Sequence, residues 1–191
     1  MNIAAIALSA AITFMSTATF MSTATFMSTA TFMSTATFLP IHAELKQKYQ
    51  HEKLDVATYA YLDNKAYEYG VSTELVLAVM QVESNYTPNL THKNTNGTTD
   101  YGLMQINSSN HKWLQDKLGQ LDFLNEQDSI LAGIYMLSMI KQESSNTHEI
   151  LMVYNMGRST YSRLASRGIT SSTYSRKVMK ILDANKKANL K

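Results

Sequence analysis

The chain has 191 residues, 45% of them apolar, with 17 Lys and Arg against 15 Asp and Glu, and no cysteine. A length of this order suits one domain with a self-sufficient core, and the near-balance of charge does not suggest a nucleic-acid binder. Without cysteine there can be no disulfide framework, thiolate zinc site or cysteine nucleophile.

The chain opens on "MNIAAIALSAAITF", apolar and uncharged, and then repeats MSTATF four times from Met15 to Phe38 before "LPIHA". Every charged residue follows Ala43. This pattern predicts an export signal over residues 1–43, cleaved after Ala43, with an uncleaved membrane anchor as the alternative. The identical six-residue units lengthen a tolerant segment and add no packing unit. Residues 44–191 form the predicted globular domain.

That domain reads as helices. Glu44 to Tyr69 runs without a breaker to Gly70, a residue suited to ending a helix, with an internal break near Asp63 and Asn64 as an option. "VSTELVLAVMQVES" follows, with Ser72 as cap, Glu74 in the first turn, and Leu75, Val76, Val79 and Met80 as the apolar face. Glu83 then falls in the last turn of a largely apolar helix. From Ser84 to Asp100 no helical period persists, and Asn96-Gly97 signals a tight turn between short strands. Further helices are predicted over Ser109–Leu118, Glu126–Gln142, Thr147–Tyr154, Ser159–Arg167 and Ser172–Leu190. The predicted class is mainly α (α+β): a helical domain with one small β-hairpin flanking a cleft.

A carboxyl at the end of an apolar helix is partly withdrawn from water, so its pKa should rise and keep it protonated near neutral pH, as a general acid requires. A second carboxylate, Asp100, lies seventeen residues on, next to the hairpin. Two carboxylates across a cleft are the equipment of glycosidic cleavage, but separation along the chain does not fix separation in space. A lone Glu at a helix end is otherwise a structural residue.

"VESNYTPNL", then "YGLMQIN", and much later "MVYNMG" resemble the three blocks of the soluble lytic transglycosylase (SLT) catalytic domain of the lysozyme-like superfamily. The resemblance covers roughly residues 65 to 180 and includes D-x-G-L-M-Q-I-N, the form seen in members that accompany secretion and conjugation machines. Against animal c-type lysozymes, Glu83 to Ser108 aligns without a gap and Asp100 falls where their second carboxylate lies. Their disulfides have no counterpart here, and "MVYNMG" belongs to the transglycosylases. The resemblance implies a lysozyme-like fold and an exported, periplasmic or wall-associated enzyme that needs no cofactor. It would cleave the β-1,4 bond between N-acetylmuramic acid and N-acetylglucosamine to leave a 1,6-anhydro ring. Its partners would be peptidoglycan strands and a secretion or conjugation apparatus, with no nucleic acid, and a membrane only if residues 1–43 stay attached.

Residue by residue, the resemblance makes Glu83 the acid and then the base. Ser84 would belong to the helix-end scaffold, and Gly102 would let the chain pass beneath the saccharide. Met104 and Gln105 would line the cleft, Tyr154 would hydrogen-bond near Glu83, and Asn155 would shape the same wall. Asp100 is the candidate second carboxylate of a hydrolytic muramidase, the alternative reading; a non-catalytic wall-binding or assembly protein is the third. Away from the motifs, Met104 and Tyr154 read as core, Asn155 as a helix cap, and Trp113 as core with a sugar-stacking platform as its alternative. His51, His92, His111 and His148 lack the spacing of a metal site. Arg158, Arg163, Arg167, Arg176 and Lys177 read as a solvated face, with attraction to an anionic wall polymer as the alternative.

Overall fold

The structure is a computed structural model that describes residues 51 and 53–188. The predicted signal segment 1–43, its repeats and the domain start at Glu44 lie outside the described residues. Seven α-helices and one small antiparallel sheet make up the described chain: α1 Val56–Glu68, α2 Thr73–Glu83, β1 Thr91–Lys93, β2 Thr99–Tyr101, β3 Ile106–Asn107, α3 His111–Leu118, α4 Glu126–Glu143, α5 Thr147–Met156, α6 Arg158–Ala165 and α7 Thr173–Ala188.

The long helix expected from Glu44 is corrected in its described part. Asp55 is an N-cap whose side chain accepts from the Thr58 amide at 2.8 Å, so α1 starts at Val56. That hydrogen bond satisfies one of the free amides of a first turn, which a helix arriving from upstream could not leave available. No break occurs at Asp63 and Asn64, and the Thr73 hydroxyl instead donates to Asp63 Oδ1 at 2.6 Å. At the other end Gly70, with φ of +66°, stops α1: its amide donates to the Tyr67 carbonyl and the Val71 amide to that of Ala66. This is the two-bond C-terminal closure that a left-handed residue permits.

Helix α2 is the centre of the molecule. Ser72 caps it, as expected, by accepting from the Leu75 amide at 3.3 Å. Leu75 through Met80 are all buried, so the helix is enclosed on every side and not only along the expected stripe. It packs against α7 and α1, while α4 packs against α1 and α5. Full burial of a side chain such as Met80 stabilises the fold by about 2 kcal/mol.

The sheet has the order β1-β2-β3, with His92 opposite Asp100 and Asp100 opposite Asn107. A third strand thus joins the expected hairpin. The Asn-Gly turn forms as predicted, with Gly97 at φ of +85° and the Asn94 amide donating to the Thr98 carbonyl at 2.9 Å. The sheet therefore stands as a short rim, with Asp100 on its central strand.

Candidate active site

Glu83 is the last residue of α2, and the apolar body of that helix carries its carboxyl into a partly buried position. The next residues turn sharply. Asn85, Tyr86 and Asn89 have φ of +51°, +62° and +58°, and Gln105, on the facing segment, has +47°. These are the non-glycine residues with positive φ among those described. Each costs on the order of 1 kcal/mol and persists only because its surroundings hold it. Tyr86 shows how: its ring is buried, and its hydroxyl donates to the Leu77 carbonyl at 3.1 Å, tying the turn back onto α2.

The Glu83 carboxyl meets a residue 91 positions away. Tyr174, in the first turn of α7, donates its hydroxyl to Glu83 Oε1 at 2.5 Å. Withdrawal from water pushes the Glu83 pKa up from 4.5 to about 7, opposed by the Tyr174 hydrogen bond, assisted by the Asp100 charge and opposed again by that of Lys177. The same burial, with Glu83 as the nearest charge, holds the Tyr174 hydroxyl well above its ordinary value. Tyr174 thus stays a neutral donor. Among the described residues Oε2 has no hydrogen-bond partner, so one oxygen is held and the other is available.

Asp100 lines the same cleft, but its carboxylate is already engaged. Asn94 Nδ2 donates to Oδ2 at 3.0 Å, and Asn107 Nδ2 donates to Oδ1 at 2.6 Å. Both amides also reach Thr98 Oγ1, at 3.1 and 2.9 Å. The group locks the rim of the sheet.

Around these carboxyls runs an open cleft of about 880 Å³. One wall is polar and comes from the sheet, with Asn94, Asn96, Thr98 and Asn107; the other comes from α4 and α5 and is largely apolar, with Met136, Met139, Ile140 and Val153. A sugar ring needs both, since its hydroxyl and amide groups call for hydrogen bonds while its C–H faces and acetyl methyls favour apolar contact. Trp113 also lines the cleft and is 37% exposed, so the reading of it as a core residue is corrected. At one end Arg158 lines the cleft and forms ion pairs with Glu143 and Glu149, the latter at 2.7 Å.

Of the residues singled out from the sequence, Glu83, Asp100, Gln105, Tyr154 and Asn155 come together on this cleft. Gln105 is clamped, its Nε2 donating to the carbonyls of Leu90 at 3.1 Å and Gly102 at 2.8 Å. Tyr154 donates its hydroxyl to the Met104 carbonyl at 2.8 Å; the hydroxyl that reaches Glu83 belongs to Tyr174. Two expectations about geometry change, those for Met104 and Gly102, while Ser84 takes its expected place at the helix end. The Met104 side chain is fully buried and packs on Gly133, where an added Cβ would stand 2.5 Å from its Cε, so it belongs to the core and not to the cleft wall. Gly102 has φ of +72°, and a Cβ there would lie 2.1 Å from the Phe123 carbonyl oxygen, so its need to be glycine comes from the interior. Ser84 is buried with its hydroxyl on the Met80 carbonyl at 3.2 Å, closing the helix end. Among the described residues no group of three or more His, Asp or Glu side chains is placed to hold a metal. His111 instead stacks on Phe123 with ring centroids 3.8 Å apart.

A buried carboxyl at the end of a central helix, facing a small antiparallel sheet across an open cleft in an otherwise helical domain, is the lysozyme-like architecture. An inactive mutant of the lytic transglycosylase Slt from Pseudomonas aeruginosa shares this fold, with a TM-score of 0.57 and 18% identity over 81% of this chain and 28% of that one. The model of the Transglycosylase SLT domain family matches residues 60–175, more than half of the chain, and the chain belongs to that family. Among curated relatives, the invasion protein IagB of Salmonella typhimurium strain SL1344 is 35% identical over 94 residues, 48% of this chain and 58% of that protein. IagB of Salmonella typhi matches to the same extent. The matched part is thus about three-fifths of those relatives' length.

Proposed function

We propose that the chain is a peptidoglycan lytic transglycosylase in which Glu83 is both acid and base. The observation that carries this reading is the Glu83 carboxyl itself, with its pKa near 7, one oxygen fixed by Tyr174 and the other free toward the cleft. A group balanced near neutrality can give up a proton and take one back, which is the requirement for serving in both roles.

In the first step the protonated carboxyl donates to the oxygen joining N-acetylmuramic acid to N-acetylglucosamine, and the bond from that oxygen to C1 of the muramic sugar breaks. The acetamido group of the same sugar stabilises the positive centre. The resulting Glu83 carboxylate, steadied by the Tyr174 hydroxyl, then removes the proton from the C6 hydroxyl as its oxygen closes on C1. The ring becomes 1,6-anhydromuramic acid, Glu83 regains its proton, and no water is consumed. Gln105, Tyr154 and Asn155 would hold and shape the saccharide site around that carboxyl.

One observation favours hydrolysis by two carboxylates: Asp100 shares the cleft and raises the Glu83 pKa. Against it, both Asp100 oxygens are taken by Asn94 and Asn107, which suits support of the rim better than attack on an anomeric carbon. The substrate places the active domain outside the cytoplasm, in the periplasm or against the wall, and residues 1–43 would direct its export. Service to a secretion or conjugation apparatus is the further part of this proposal. It rests on the D-x-G-L-M-Q-I-N form and on likeness to a protein called an invasion protein. Digestion of purified sacculi, with mass spectrometry of the released muropeptides, tests the reaction: anhydro ends support it, reducing ends favour the muramidase, and no new ends reject both.

A further inference from the structure

Tyr174 supports the Glu83 carboxyl from a position that needs support itself. It is the second residue of α7, and the amides of a first turn have no acceptors within their own helix, so the turn keeps its shape only where something else holds it. Here the hold is a reciprocal cap. Ser172 Oγ accepts from the Ser175 amide at 3.1 Å, and Ser175 Oγ accepts from the Ser172 amide at 2.9 Å, so the two serines bracket Tyr174. Ser175 is fully buried, and its hydroxyl makes one contact more, with His148 Nδ1 at 2.9 Å.

That contact crosses to another helix. His148 is the second residue of α5, and its place is set by Asn146, whose side chain accepts from the His148 and Glu149 amides at 2.9 and 3.3 Å. The caps of α5 and α7 are thereby joined by one side-chain bond. Its polarity follows from counting hydrogens. The Ser175 hydroxyl has one, and two acceptors compete for it: the Ser172 carbonyl at 3.2 Å, which already takes the Arg176 amide at 3.0 Å, and the nearer His148 Nδ1. The hydrogen goes to His148, whose own ring proton then sits on Nε2. Six residues further along α5, about 9 Å of helix, Tyr154 donates to the Met104 carbonyl. Helix α5 is thus tied near one end to α7 and near the other to the segment that carries Gln105.

We infer that His148 is a positioning residue for the reaction: through Ser175 it holds the first turn of α7 in the orientation that keeps the Tyr174 hydroxyl on Glu83. The body of α7 packs on α2 and α5 and stays in place without this bond. Its first turn is the part free to fray, and fraying there carries Tyr174 away from the carboxyl. The inference rests on the proposed function for the role of Glu83, but the path it invokes, from His148 through Ser175 and Tyr174 to Glu83, does not depend on which product the cleavage leaves.

The test follows the ionisation of Glu83 in the full chain by carbon-13 NMR of labelled glutamate carboxyls across pH, with the Glu83 signal assigned by its loss in Glu83→Gln, alongside the kinetics of cleavage of soluble glycan strands. The Tyr174 hydrogen bond favours the carboxylate, so its loss raises the Glu83 pKa. His148→Ala should therefore shift that pKa in the same direction as Tyr174→Phe and by no more, and should lower kcat at neutral pH about threefold to tenfold with KM unchanged. His148→Asn, whose amide oxygen can accept where Nδ1 did, should restore both. In a Tyr174→Phe background His148→Ala should add nothing, because its effect passes through the missing hydroxyl. Ser175→Ala removes the other partner of the same bond and should reproduce His148→Ala, which keeps the comparison decisive where that variant does not fold. Asp100 and Lys177, whose charges also act on Glu83, and the neighbouring Tyr154 hydroxyl are unaltered in all of these variants. An unshifted Glu83 in both His148→Ala and Ser175→Ala, an equal loss with and without the Tyr174 hydroxyl, or no recovery with asparagine overturns the inference and leaves His148 a packing residue. Anhydro products from the parent are scored separately: their absence rejects the proposed reaction, while the NMR titration still decides the role of His148.

Discussion

Replacing Glu83 with glutamine should make the domain more stable, and only above a defined pH. The folded domain holds the Glu83 proton with a pKa of about 7, against an ordinary value of 4.5, so the folded state binds that proton more tightly than the unfolded chain does. Its contribution to stability is then fully present below pH 4.5 and is lost as pH rises toward and through 7. Above that, the folded protein carries a buried anion at a cost of about 3 kcal/mol, taking about 1.4 kcal/mol for each unit. Glutamine keeps the shape and an oxygen for the Tyr174 hydroxyl but never ionises. Thermal unfolding of parent and Glu83→Gln, followed by circular dichroism, should therefore nearly coincide at pH 4 and separate by about 6–12 °C at pH 8, with the variant higher. A difference that is the same at both pH values would refute the claim that the carboxyl is held in a desolvated, proton-retaining site.

The remaining predictions concern the groups around it. Tyr174→Phe removes the hydrogen bond that lowers the Glu83 pKa, so the pH–rate profile should shift upward and cleavage at neutral pH should fall roughly tenfold, in line with loss of a hydrogen bond to a charged group. An unshifted profile would show that the bond does not tune Glu83. Asp100→Asn places an amide against the amides of Asn94 and Asn107; it should slow cleavage less than Glu83→Gln does and leave anhydro-ended products, as mass spectrometry of the digest would report. Gly102→Ala drives a Cβ to 2.1 Å from the Phe123 carbonyl at a φ of +72°, so it should destabilise the domain by several kcal/mol, on the order of 3, in denaturant titration.

What the sequence reveals, and what it conceals, follows the range of the interactions. Helix α2 was legible down to its cap because Ser72, Glu74 and the apolar run act within a few turns, and that local reading placed Glu83 at the helix end. The start of α1 was not legible, because Asp55 is polar in either context and only its bond to the Thr58 amide distinguishes a cap from a mid-helix position. Strand β3 is two residues long, too short to show any alternation. Within the site, Gln105 could be inferred from the motif, whereas its neighbour Met104 could not be assigned, since an apolar side chain between Leu103 and Gln105 points to cleft or core depending on Gly133, on another element. Tyr174 carried no signal at all: it lies 91 residues from its partner, inside a stretch read for its basic residues. Trp113 escaped for the converse reason, because an amphipathic helix predicts a buried tryptophan and the cleft leaves this one partly open.

The role of Glu83 is tested most directly by the chemical form of the products released from purified sacculi by the parent and by Glu83→Gln. The parent should release muropeptides ending in 1,6-anhydromuramic acid, and the variant should cleave at a rate at least about 10²-fold lower while still binding glycan. Reducing-end muramic acid from the parent, or cleavage by Glu83→Gln at near the parental rate, would contradict that role.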